Sequence, residues 1–162
     1  MMKKTGLILM LWVLGYAAKA QEVRWDTCKF MTYNVLNFDN TGNDKEQYLF
    51  EVVDSMHPDI LIVQELIELS GAIRFFDSVV YKVDTNYAMG TFINSFDTDN
   101  GIYFRKDKFA FITNTPITTE LRDINEFQLK HIASGEEIYF YSLHLKASSG
   151  GTNADQRKRE VD

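Results

Sequence analysis

The sequence predicts an α/β domain in which helices cover a mixed β-sheet, and three observations carry that expectation. Two short apolar runs, Phe30-Met31-Thr32-Tyr33 and Ile60-Leu61-Ile62-Val63, have strand length. Between them Tyr48, Leu49, Val52, Val53 and Met56 recur at helical spacing. From Asn100 onward, short β-rich runs alternate with polar clusters, as in strands joined by tight turns. Strand–helix–strand followed by meanders is the chain order of a sheet layered with helices.

The elements follow in order. Lys29 to Val35 reads as a strand and Asn37 to Asn43 as a polar loop. Asp44 to His57 reads as a helix, with Asn43 and Glu46 spaced as a capping box and Pro58 as its stop. Asp59 to Glu65 is a strand apolar on both sides, and Glu68 to Val79 a second helix with Leu69, Ile73, Phe76 and Val80 inward. Tyr81 to Asp97 is mixed and reads largely as loop. Gly101–Arg105, Phe109–Thr113, Glu126–Ile132 and Glu137–Lys146 then read as strands, with Asp107-Lys108 and Ser134-Gly135-Glu136 among the separating turns. In the last of these, Ile138, Phe140, Ser142 and His144 share one face while Tyr139, Tyr141, Leu143 and Leu145 share the other. Apolar residues on both faces predict a central strand. Gln156 to Asp162 has helical character without a stop signal.

The first twenty residues read as a targeting segment. Lys3 and Lys4 precede an uncharged apolar run from Gly6 to Tyr16, and Ala18-Lys19-Ala20 offers a signal peptidase site before Gln21. The run is short for a bilayer crossing. The expectation is an exported protein, periplasmic or extracellular after cleavage near Ala20, with residues 21–162 forming one domain and no membrane anchor. Cleavage removes Lys3, Lys4 and Lys19 but no acid, so the net charge moves from −6 to −9. That balance disfavours a non-specific duplex clamp, which needs a basic face to displace counterions. Cys28 is the single cysteine, so no internal disulfide can form.

Three polar residues stand where apolar strands run out: Asn34, Glu65 and His144. An amide, a carboxylate and an imidazole are costly at the edge of a packed core, so their repetition at strand ends suggests a site. Carboxylate and amide oxygens suit a hard cation such as Mg²⁺, and an imidazole suits proton transfer. Together they point to metal-assisted phosphoester hydrolysis. Asn34 equally suits a turn-former opening the 37–43 loop. A strand-end Glu can be a solvated cap, and His144 a hydrogen-bonded core histidine. Asp99 and Asn100 are candidates to orient His144, whereas His57 and His131 are assigned no chemistry.

These residues sit in four motifs: Phe30-Met31-Thr32-Tyr33-Asn34-Val35-Leu36, Pro58-Asp59-Ile60-Leu61-Ile62-Val63-Gln64-Glu65, Asn100-Gly101-Ile102-Tyr103-Phe104-Arg105-Lys106-Asp107-Lys108-Phe109 and Tyr141-Ser142-Leu143-His144-Leu145-Lys146-Ala147. In that order they resemble the endonuclease/exonuclease/phosphatase superfamily, which includes deoxyribonucleases, sphingomyelinases and inositol polyphosphate phosphatases. The resemblance implies a four-layered α/β sandwich, two packed mixed β-sheets flanked by helices. It implies Glu65 and Asn34 as metal ligands for Mg²⁺ (Mn²⁺ or Ca²⁺ as alternatives), His144 as the catalytic proton-transfer group and Asn100 as a substrate-binding residue. The substrate would be a phosphoester in nucleic acid or in a phosphorylated lipid or sugar; no protein partner is implied.

The family pattern continues with Gly-Asp-x-Asn and Ser-Asp-His segments, and neither occurs in this sequence. A complete sandwich of this kind needs roughly 250 residues. The expectation is therefore the N-terminal part of such a domain, incomplete at its C-terminus and inactive by itself. The alternatives are a secreted non-catalytic binding module and a gene remnant that keeps the fold without the chemistry.

Overall fold

The structure, a computed structural model, describes residues 26–41 and 44–161. The expected signal peptide, its cleavage point near Ala20 and the Asn43 half of the capping box lie outside the described residues.

Strand β1 (Phe30–Phe38) leads through helix α1 (Lys45–Met56) to strand β2 (Ile60–Leu66), and the two strands pair in parallel. A parallel pair needs such a crossover, and the helix supplies it. Helix α1 stops where His57 turns left-handed at φ 43° and returns its N–H to the Val53 carbonyl, with Pro58 directly after. Helix α2 (Glu68–Phe75) continues through a π-helical turn, Phe76–Val80, into the short α3 (Tyr81–Val83). Strands β3 (Tyr87–Met89) and β4 (Asp99–Arg105) complete a mixed sheet in the order β1-β2-β4-β3. Strands β5 (Phe109–Ile117), β6 (Ile124–His131) and β7 (Glu137–Ser142) form a second, antiparallel sheet, and α4 (Gly151–Arg159) follows.

Period-two alternation explains the layering. In β2, Leu61 and Val63 face the helices, joining Tyr103 of β4 and Leu49, Val53, Phe75 and Val79 in one core. Ile60 and Ile62 face the other way and, with Ile102 and Phe104, meet Phe109, Phe127 and Leu129 of the second sheet. Both faces of β2 and β4 are therefore buried, which accounts for their unbroken apolar runs. The result is an α/β fold of two packed sheets with flanking helices.

Some expectations are corrected. Among the described residues β7 pairs only with β6, ends at Ser142 and leaves Tyr139 and Tyr141 about half exposed. The turn at Asp107-Lys108 joins no hairpin, because β4 lies in one sheet and β5 in the other. Its corner is held instead by Arg105 on Asp84 and Asp107, and by Lys108 on Asp59. The 81–97 stretch is loop over most of its length and also holds α3 and β3.

Candidate active site

The parallel register sets Asn34 beside Gln64, so Glu65 falls next to Asn34 at the ends of β1 and β2. Regular pairing breaks at this level on both sides of β2. Leu36, Asn37 and Glu65 all take positive φ, at 54°, 51° and 63°, a conformation that costs non-glycine residues about 1–3 kcal/mol each. These reversals aim polar groups at one carboxylate. Asn34 Nδ2 donates to Glu65 Oε1 at 2.8 Å, and the Asn37 backbone N–H donates to Oε2 at 3.0 Å. Asn34 Oδ1 accepts the Leu36 N–H at 2.9 Å, which fixes the amide's orientation.

His144, two residues beyond β7, brings its Nε2 to 3.3 Å from Glu65 Oε1. Its Nδ1 is buried and has no partner. An Nε2–H facing the carboxylate is the tautomer this geometry supports. Burial, and then the Arg122 guanidinium, push the imidazole below its ordinary pKa, against an opposing pull from Glu65 and Asp97. The ring is thus neutral at neutral pH.

Arg122, in the loop between β5 and β6, was not singled out in the sequence. It donates through Nε and Nη2 to Asp97 Oδ2 at 3.0 and 2.6 Å, and through Nη1 to the His144 carbonyl at 3.3 Å. Its position follows from a pairing 25 residues apart, which no local period signals. Asp99 accepts the Ser95 N–H on Oδ1, but its buried Oδ2 has no partner, and burial raises its carboxyl to about 6. Asn100 is 2% exposed, and its Nδ2 donates inward to Asn125 Oδ1. The structure therefore brings Asn34, Glu65 and His144 together, while Asn100 lies in the interior beneath them.

Among the described residues no group of three or more His, Cys, Asp or Glu is arranged to hold a metal. A single carboxylate is still a fit for Mg²⁺, which keeps several waters and takes one or two carboxylates plus substrate phosphate. Glu65 has about four lone-pair sites and spends two of them on Asn34 and Asn37, with His144 Nε2 3.3 Å away. An open groove of about 720 Å³, lined by Asp44, Gln47, Tyr48, Glu51 and Lys82 among others, lies on the helix side away from this site.

No protein-family model matches the chain. No curated protein matches it either. Solved structures do. D. rerio TDP2 complexed with a single-strand DNA product is 21% identical with a TM-score of 0.62, over 83% of this chain and 52% of that one. The human Nocturnin catalytic domain with a bound sulfate anion is 18% identical with a TM-score of 0.54, over 78% and 54%. ANGEL2, a 2',3'-cyclic phosphatase, is 15% identical with a TM-score of 0.52, over 73% and 40%. The chain spans about half of their length, and over that span it shares their fold.

Proposed function

We propose that this chain contributes to a divalent-metal-dependent phosphoester hydrolase site built on Glu65, Asn34 and His144. The observation behind the reading is the Glu65 carboxylate, held by Asn34 and by the Asn37 N–H and faced by a neutral imidazole. Glu65 would hold the cation, with the second lone pair of Asn34 Oδ1 beside it; Mg²⁺ is the first candidate, and Mn²⁺ or Ca²⁺ suit the same oxygen donors. When bound, the cation supplies charge stabilisation at a phosphoryl oxygen. His144 is the proton-transfer group for the reacting phosphate, its ring held beside the Glu65 carboxylate. Arg122 adds positive charge beside the imidazole and, by its hold on the His144 carbonyl, keeps the ring in place.

The substrate class is a phosphoester. TDP2 carries single-strand DNA in its structure, and the acidic balance of this chain suits a strand or small ester held through the cation better than a clamped duplex. A non-catalytic binding module is the second reading, favoured by the absence of a three-ligand cluster among the described residues.

Glu65→Gln separates the two. It keeps the size of the side chain but removes the charge. Mg²⁺ binding, followed by calorimetry, should fall by at least tenfold, and so should Mg²⁺-dependent hydrolysis of a chromogenic phosphodiester by the complete enzyme. Unchanged Mg²⁺ affinity in a folded Glu65→Gln variant would refute the assignment.

A further inference from the structure

Three asparagines outside the site form a row through the interior. Asn100 of β4, Asn125 of β6 and Asn114 of β5 are 2%, 3% and 7% exposed. Asn100 Nδ2 donates to Asn125 Oδ1 at 2.9 Å, and Asn125 Nδ2 donates to Asn114 Oδ1 at 3.0 Å. Asn114 Nδ2 ends the row on the Thr91 carbonyl at 3.0 Å. At the other end Asn100 Nδ2 also reaches the Ser142 carbonyl at 3.4 Å. Carbonyl oxygens only accept, so both ends fix the direction of every amide between them.

Such a row is a poor way to gain stability. Buried amides repay their desolvation only when bonded, and apolar residues of similar volume would fill the space beside Phe127 at less cost. What a directional row supplies is alignment, here of the second sheet on the first. Ser142 sits where that alignment matters, at the end of β7 and paired in register with Asn125. The first sheet grips it twice. Asn100 reaches its carbonyl, and Gln64, the neighbour of Glu65, donates Nε2 to its hydroxyl at 3.3 Å. Two residues later the chain delivers His144 to Glu65.

We propose that Asn100 and Asn125 are positioning residues for His144: their amide row fixes the end of β7 and hence the point from which the imidazole reaches Glu65. The value of that position rests on the functional reading above, but the positioning itself can be measured without any turnover. The full chain carries His57, His131 and His144 and no other histidine. Long-range ¹H–¹⁵N correlation of the ¹⁵N-labelled protein at mildly alkaline pH therefore resolves each ring's tautomer.

In the wild type, His144 should be a single Nε2–H tautomer. In Asn100→Ala and in the milder Asn125→Ser, its two nitrogen shifts should move toward each other as the tautomers mix. His57 and His131 should not change, and thermal unfolding should stay cooperative. A folded Asn100→Ala with the His144 tautomer intact would overturn the proposal. So would loss of cooperative unfolding in both variants, which would make the row a structural element alone. A tautomer change in a protein without Mg²⁺-dependent hydrolysis would support the positioning role while removing the functional reading.

Discussion

The neutral His144 and the raised Asp99 respond to pH with opposite signs. Burial and Arg122 lower the His144 pKa, so its unfolded form takes up a proton more readily than its folded form. That stabilising contribution is complete above the unfolded value of 6.5 and is lost as pH falls through the lower folded value. Arg122→Gln should raise the His144 pKa, shifting the acid limb of any pH–rate profile and the imidazole NMR titration to higher pH. Asp99 differs: its folded value of about 6 lies above the ordinary 3.8, so its stabilising contribution is present below 3.8 and lost as pH rises through 6. Asp99→Asn keeps an acceptor for Ser95 and should stabilise the fold at pH 8 by about 1–3 kcal/mol but not at pH 3.5, as denaturant titrations at the two values would show. His144→Ala should leave the melting temperature nearly unchanged and, in the complete enzyme, cut turnover by roughly two to four orders of magnitude. Asn34, Glu65 and His144 were legible because each interrupts an apolar run. Arg122 was not, because its place depends on Asp97 across a loop, and neither residue breaks a pattern.

Among the elements, α2 is seated by one close approach. A Cβ on Gly71 would stand 2.7 Å from the Phe38 carbonyl oxygen at the end of β1. In an exposed helix, alanine would outdo glycine by about 1 kcal/mol. Here the clash opposes that gain, and Gly71→Ala should destabilise by about 1–3 kcal/mol in denaturant unfolding. The helices and β2 were readable in extent, with explicit stops as at Pro58, but the inward face of α2 was not: Leu69 and Ile73 are exposed, and Ala72, Phe75 and Val79 face the core. Strand β3 was not, since Tyr87–Met89 offers three residues and no period. Strand β7 was read too long. Alternation runs on through Leu143 and Leu145, but pairing stops at Ser142, where the chain turns toward Glu65. The second sheet came from the motifs rather than from periodicity, because a turn such as Asp107-Lys108 looks the same whether it closes a hairpin or crosses between sheets.

For the molecule as a whole, the edge of β7 left unpaired among the described residues and the exposed Tyr139 and Tyr141 form a surface prone to strand addition. Sedimentation should show concentration-dependent association, reduced when both tyrosines are replaced by lysine. Export is a separate expectation: the secreted product should begin at Gln21, which intact-mass measurement would establish. Glu65 and His144 belong to different sheets, and the core of Ile60, Ile62, Phe127 and Leu129 is what holds those sheets together. The 3.3 Å between carboxylate and imidazole is thus a vernier for slippage along that interface. Mild heat or pressure that lets one sheet creep over the other by a fraction of an ångström would silence the chemistry while the circular dichroism of the backbone still reads as native.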